Sequence, residues 1–382
     1  MRPTLHNLQA LRGLACLLVV AYHAAGWEGL IWVKTPVMTG ARWFAYAGVD
    51  LFFVLSGFII TWTHADQLGH AAKLPKYLTR RAWRIYPTLW ASCIVATVIA
   101  NAVTGAEVFT LGWLGDWVEW LLLVPRYDPH RFIAATWSLN YEVMFYLAFG
   151  LLYFVPKRFA AMLACVWAGV IVAAKLAGHT PTPFWGKMLL SPFVLEFLAG
   201  ALVAAVVKRG TIAGPRWCLL AAFAWLAVFI PLLQGATPDD LGNRFGPRVL
   251  AFGPACALIV YAVVAGELTG RVRLPRFLRP VGDASYSIYL LHGPVGLSML
   301  FLTWGMGHSP LVHLLWLAIL AGSGIAAGWL MYRLVERPLL NWGKRPSVQP
   351  AVHVHVLADR ANVGVDQPGG VRDAGEPVAA GR

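Results

Sequence analysis

About ten apolar runs decide what this chain can fold into. Each is near the ~20 residues that carry a helix across a bilayer. In hydrocarbon every backbone N–H and C=O must find a partner inside the chain, so the runs predict helices rather than open strands. Composition agrees: 58% of the 382 residues are hydrophobic and 13% are charged, where a soluble domain carries about 25%. The predicted fold class is an all-α integral membrane protein, a bundle of about ten transmembrane helices. No internal repeat is visible, so the sequence does not support the repeat architecture of many transporters.

The first run, Leu8 to Ala25, reads LQALRGLACLLVVAYHAA. It is followed by no small-residue cleavage site and is long enough to span, so it does not read as a signal peptide. Its exceptions to apolarity are Arg12 and His23, eleven residues apart. At about 100° per residue both lie on one helix face, about 16 Å apart along the axis. Ionisable groups inside a span are costly and mark a pathway or a reaction site. The competing reading places both at the ends of the span, snorkelling to the headgroups.

The second run, about Trp43 to Trp62, holds GVDLFFVLSGFIIT. Asp50 lies near its start, to pair with an Arg or to cap, and the small pair Ser56-Gly57 allows close helix approach. A basic segment follows, with Lys73, Lys76, Arg80, Arg81 and Arg84 in and before RRAWRIYP. The third span is expected at about Ile85 to Val103. An aromatic piece, Trp113 to Val124, reads as an interfacial or re-entrant helix. The fourth span opens with TWSLNYEVMFYL at Thr136 and buries Glu142. Six more are expected near 159–178, 187–207, 216–234, 247–267, 284–303 and 310–334. Arg and Lys crowd the alternate loops that share a side with the N-terminus, which predicts both termini in the cytoplasm. The same asymmetry accounts for the net charge of +13 without nucleic acid. Residues 1–342 form the membrane domain, and 343–382, rich in Pro, Gly, Val and Ala, are expected to be a disordered cytoplasmic tail. The five cysteines lie in apolar runs without metal spacing and read as small buried hydrophobes.

Six pieces now stand in order: R-x10-H at Arg12 and His23, GVDLFFVLSGF, RRAWRIYP, TWSLNYEVMFY, SYSIYLLH (Ser285 to His292) and VERP (Glu336 to Pro338). Over about residues 5 to 342 the chain resembles the membrane-bound acyltransferase-3 family, which O-acylates bacterial surface and secreted carbohydrates. The resemblance implies a ten-helix bundle in the bacterial inner membrane, acyl-CoA as donor (acetyl-CoA foremost) and a carbohydrate or glycolipid hydroxyl as acceptor. No permanently bound cofactor is expected, and the sequence offers no metal-ligand cluster to support metal chemistry. Some members add an extracytoplasmic hydrolase-like domain; this chain reads as the stand-alone form.

The residues can be weighed against that chemistry. Acyl transfer from a thioester to an alcohol needs a base for the hydroxyl, and histidine titrates near working pH. His23 fits, with Arg12 on its face. Glu142 is expected to orient His23 as the acid does in a triad, or to be a structural carboxylate paired with an Arg. Arg80, Arg81 and Arg84 suit phosphate recognition or plain charge sorting. Arg81 and Arg84, three apart, share a helix face. Ser138 reads as a cap. Tyr286, Tyr289 and His292, each three apart, read as packing with an interfacial anchor or as the lining of a cavity. Glu336-Arg337-Pro338 reads as the end of the tenth helix. The alternative function is a transporter or flippase with Arg12, His23 and Glu142 as its substrate or proton path. Acceptor choice is assigned to the loops at 27–42, 104–135 and 235–248.

Overall fold

The computed structural model describes residues 5–31, 45–105, 118, 121–123, 136–179, 184–210, 214–232, 245–303 and 309–342. Regular structure among them is helical throughout. In chain order the helices are α1 (His6–Ile31), α2 (Ala47–His64), α3 (Leu74–Thr104), α4 (Thr136–Leu151), α5 (Lys157–Leu176), α6 (Phe184–Leu189) and α7 (Phe193–Lys208). They continue as α8 (Pro215–Leu232), α9 (Phe245–Leu268), α10 (Leu278–Asp283), α11 (Ser285–Leu302), α12 (Pro310–Met331) and α13 (Arg337–Trp342). Eight helical stretches among the described residues are long and apolar enough to cross a membrane: α1, α2, α3, α5, α6 with α7, α9, α11 and α12 with its extension. The two remaining predicted spans are also helical, α4 with 16 residues and α8, whose apolar stretch Pro215–Pro231 is shorter than the eight. Most of the aromatic piece at 113–124, the tail from Lys344 and most of the three long loops lie outside the described residues.

The first helix sits at the centre, packed against α2, α9, α10, α11 and α12. Its first amides are satisfied from α9: His6 N–H and Asn7 N–H donate to the two carboxylate oxygens of Glu267 at 2.7 and 2.9 Å. A carboxylate at a helix N-terminus also meets the positive end of the macrodipole. Helices α2 and α7 are pressed together through glycines. A Cβ at Gly57 would fall on the Phe197 carbonyl, and one at Gly200 on the Val54 carbonyl. Small residues at such a crossing let backbones touch where lipid offers no hydrophobic drive. Aromatic rings fill the contact, with Phe53 of α2 4.7 Å from Phe197 of α7 between centroids, and Phe145 of α4 stacks on the same Phe197 at 4.4 Å. By contrast α5 buries little of itself and turns Met162, Val166 and Val170 outward. Cys165 is on that exposed helix, unlike the buried Cys16, Cys93 and Cys256, so not every cysteine is a core hydrophobe.

Three expectations change on contact with the structure. The basic segment is not a loop before the third span but the first turns of α3, which starts at Leu74 with Pro75 in its first turn and carries Pro87 inside. A proline there costs nothing, because the first-turn N–H groups have no helical partner. Nor does the tenth helix stop at Pro338. A π-helical stretch, Tyr332–Glu336, widens the turn and the chain continues as α13. Inserting one residue per turn relieves the clash that a proline ring makes with the preceding turn. Ser138 lies within α4 rather than capping it.

Asp50 takes the first of its two readings. Arg248 Nε donates to both its carboxylate oxygens at 3.0 and 3.1 Å, and Nη2 to Oδ2 at 2.7 Å. The guanidinium lies over the Tyr46 ring at 3.8 Å. This fork joins α9 to α2 in the interior, and a buried pair of this kind is costly to break from either side.

Candidate active site

A cavity of about 210 Å³ opens among α1, α2, α3, α4 and α11. Three arginines line it: Arg12, Arg81 and Arg84. Arg12 comes from the central helix. Its Nη1 donates to Gln9 Oε1 and its Nη2 to Ser285 Oγ, both at 3.1 Å, which holds it against α11. Gln9 is fixed in turn by its Nε2–H, which donates to Asp283 Oδ1 at 2.6 Å.

Spacing on α3 brings the other two to the same face. Arg84 Nη1 donates to Glu336 Oε1 at 2.5 Å, and the far oxygen of Glu336 accepts from Ser287 Oγ at 2.6 Å. Arg81 Nη2 donates to His64 Nε2 at 2.9 Å. Arginine can only donate, so this bond fixes the His64 tautomer with its proton on Nδ1, toward Tyr153 Oη at 3.1 Å. The Arg81 guanidinium also sits over Tyr77 and Tyr146 at 5.8 and 5.5 Å. Its Nε–H is buried and has no hydrogen-bond partner among the described residues. A buried donor in that state is costly unless an acceptor arrives. Arg80, the third member of the sequence cluster, is exposed and does not line the cavity.

Glu142 faces the same chamber. It accepts from Ser56 Oγ at 3.0 Å and from Tyr146 Oη, one helical turn along α4. The structure thus brings Glu142 to Ser56 and Tyr146, not to His23. Three guanidinium groups against the carboxylates of Glu142 and Glu336 leave the chamber cationic, in surroundings where charge is weakly screened. An anion is the ligand this balance favours.

His23 is absent from the lining. It sits farther along α1, its Nδ1 2.9 Å from the Val19 carbonyl and 3.3 Å from His292 Nε2. Tyr289 connects the two regions. Its hydroxyl meets Ser138 Oγ at 2.5 Å, its ring lines the cavity against Phe52, and the same ring is 5.9 Å from that of His292. Sequence reasoning gave Tyr286, Tyr289 and His292 as cavity lining or as packing with an interfacial anchor, and put Glu336 at a helix end; the two tyrosines line the cavity and His292 does not. The spacing of Tyr286, Tyr289 and His292 carried the signal for one face, but nothing local announced their partners.

An all-helical bundle of apolar helices around a cationic internal chamber defines the class, a polytopic membrane protein. The family follows from comparison. Residues 5–333 match the family described as an acyltransferase domain, and the chain belongs to this acyltransferase-3 family. It is therefore a membrane acyltransferase. It is 30% identical over 321 residues to the exopolysaccharide production protein ExoZ of Rhizobium meliloti, covering 78% of this chain and 90% of that one. It is 29% identical to the acyltransferase MdmB of Streptomyces mycarofaciens, over 91% of this chain and 95% of that one. The peptidoglycan O-acetyltransferase OatA of Listeria monocytogenes is 25% identical over 90% of this chain and 57% of its own length. No solved structure matches the chain.

Proposed function

We propose that this protein transfers an acyl group, acetyl foremost, from acyl-CoA to a hydroxyl of a cell-surface, secreted or lipid-linked carbohydrate at the bacterial inner membrane. One observation carries the reading. The unbroken helix α1 carries Arg12 into the cationic chamber and His23 eleven residues beyond it. That offset, about 16 Å, matches the reach of a pantetheine arm between its phosphates and its thioester. The names of ExoZ and OatA, an exopolysaccharide production protein and a peptidoglycan O-acetyltransferase, support a glycan acceptor.

In this mechanism both chain termini lie in the cytoplasm, where acyl-CoA is made, and the donor enters from the end of the bundle that carries the basic turns of α3. Arg81 and Arg84 grip phosphate oxygens, with the Arg81 Nε–H finding its acceptor there. Arg80 adds a screened charge at the approach. Arg12 steadies the arm along α1. Glu142, held by Ser56 and Tyr146, keeps the Arg81 and Tyr146 side of the chamber in register. His23 takes the proton from the acceptor hydroxyl, and the hydroxyl oxygen attacks the thioester carbonyl. The C–S bond breaks, and the CoA thiolate leaves with the proton from the histidinium, so charge and atoms balance. The test is purified protein in nanodiscs with acetyl-CoA and a panel of glycans. Acceptor-dependent release of free CoA, with acyl mass gained by the glycan, supports the reading; a protein that turns over no acyl-CoA with any glycan while moving glycan across vesicles would make it a flippase.

A further inference from the structure

His292 is almost completely buried on α11, at 2% exposure, and a buried imidazole must satisfy both ring nitrogens. Its Nδ1 lies 2.8 Å from the Tyr289 carbonyl and 3.2 Å from the Ile288 carbonyl. Carbonyls only accept, so Nδ1 of His292 carries its proton and, in the neutral ring, Nε2 carries the lone pair. That lone pair meets Nδ1 of His23, 3.3 Å away, with the rings edge to face at 4.9 Å between centroids. The His23 Nδ1 also lies 2.9 Å from the Val19 carbonyl. These two contacts of His23 Nδ1 are thus both to acceptors. The proton of the neutral His23 ring belongs on Nδ1, and its lone pair is on Nε2.

The back of His292 is closed by α12. A Cβ at Gly324 would stand 2.8 Å from the His292 Cα, so the neighbouring helix lies against the backbone at this turn. Tyr289, one turn before, lines the chamber. The residue is thereby held at its backbone by α12 and at its ring by two carbonyls and by His23.

We propose that His292 is the positioning residue for His23. It shares the Nδ1–H with the Val19 carbonyl, and as the side-chain acceptor of the two it holds the ring in the tautomer in which Nε2 is basic and supports the Nδ1–H of the histidinium while the proton rests on the ring. This is the part that a carboxylate plays in a hydrolase triad, filled here by a neutral acceptor that adds no charge to the membrane interior. The inference rests on His23 being the base, and its test is arranged so that the two can fail separately.

The experiment compares His292→Gln and His292→Leu with wild type in nanodiscs, reading kcat and the KM for acetyl-CoA. Gln Oε1 reaches the position of Nε2 and can accept from His23, whereas Leu cannot. His292→Leu should lower kcat about 10²-fold, within the range a positioned base contributes, with KM for acetyl-CoA changed less than about twofold. His292→Gln should recover much of that loss. Nitrogen-15 histidine labelling of the wild type should report neutral His23 with its proton on Nδ1. Equal loss in Gln and Leu, a loss expressed in KM alone, unchanged kcat in Leu, or an Nε2–H tautomer of His23 would each overturn the proposal. If His292→Leu fails to fold, the Gln variant and the tautomer still decide. His23→Ala with full activity would instead remove the base itself and the reading beneath.

Discussion

Arg84 and Glu336, 252 positions apart, form an ion pair at 2.5 Å in which the carboxylate is wholly buried and the guanidinium lines the chamber. The pair ties the last helical turns of the bundle to the arginine face of α3. Breaking a buried pair from one side leaves an uncompensated charge and costs about 3–5 kcal/mol. Glu336→Ala should therefore lower the thermal unfolding midpoint of the detergent-solubilised protein clearly, and Glu336→Gln less, since it still accepts from Arg84. An unfolding curve for Glu336→Ala that overlays wild type would show the pair to be ornamental.

The arginines should separate by position. Arg81→Ala and Arg84→Ala are each expected to weaken acyl-CoA binding by about 1.5–3 kcal/mol, the worth of a charge-assisted contact. Arg80 is exposed and outside the lining. Arg80→Ala should cost under about 1 kcal/mol, and raised salt should abolish the difference. Calorimetry of acyl-CoA binding checks both. Three equal losses would mean that general positive charge attracts the donor and that the chamber does not select it.

Membrane orientation is the next prediction. The basic loops alternate with sparsely charged ones, and the rule that Lys and Arg stay inside puts both termini in the cytoplasm. Reporter tags at the N-terminus and after Lys344 should both register cytoplasm. Either tag reporting outside would reverse the side from which the donor approaches.

Helical periodicity made part of this site legible and local sequence hid the rest. Arg12 and His23 share a face by spacing alone, and α1 runs unbroken through both. Arg81 and Arg84 were separable from Arg80 on the same arithmetic. Partners from distant helices were not legible. Asp50 left two readings open until Arg248, 198 positions away, decided between them. His292 looked like packing because its partner is 269 residues earlier. Glu336 was masked by Pro338: a proline reads as a stop, and only the π-helical stretch before it lets the helix continue. Glu142 shows the reverse case. It is half-buried rather than fully enclosed, and its hydrogen bonds go to Ser56 and Tyr146, a choice set by how α2 and α4 pack.

The central claim is that His23 is the base, and one measurement reaches it most directly. Transfer from acetyl-CoA to the acceptor glycan should be followed in nanodiscs for wild type, His23→Ala and His23→Gln, with acetyl-CoA affinity measured on the same samples. Loss of a positioned base costs about 10²–10⁴ in rate. Both variants should fall by that much while binding acetyl-CoA as wild type does, since Gln can hydrogen-bond but cannot take the proton. No acyl label should accumulate on wild-type protein without acceptor, where a covalent acyl-imidazole would leave one. Near-normal transfer by correctly inserted His23→Ala would contradict the account and return His23 to a residue that merely ends a span.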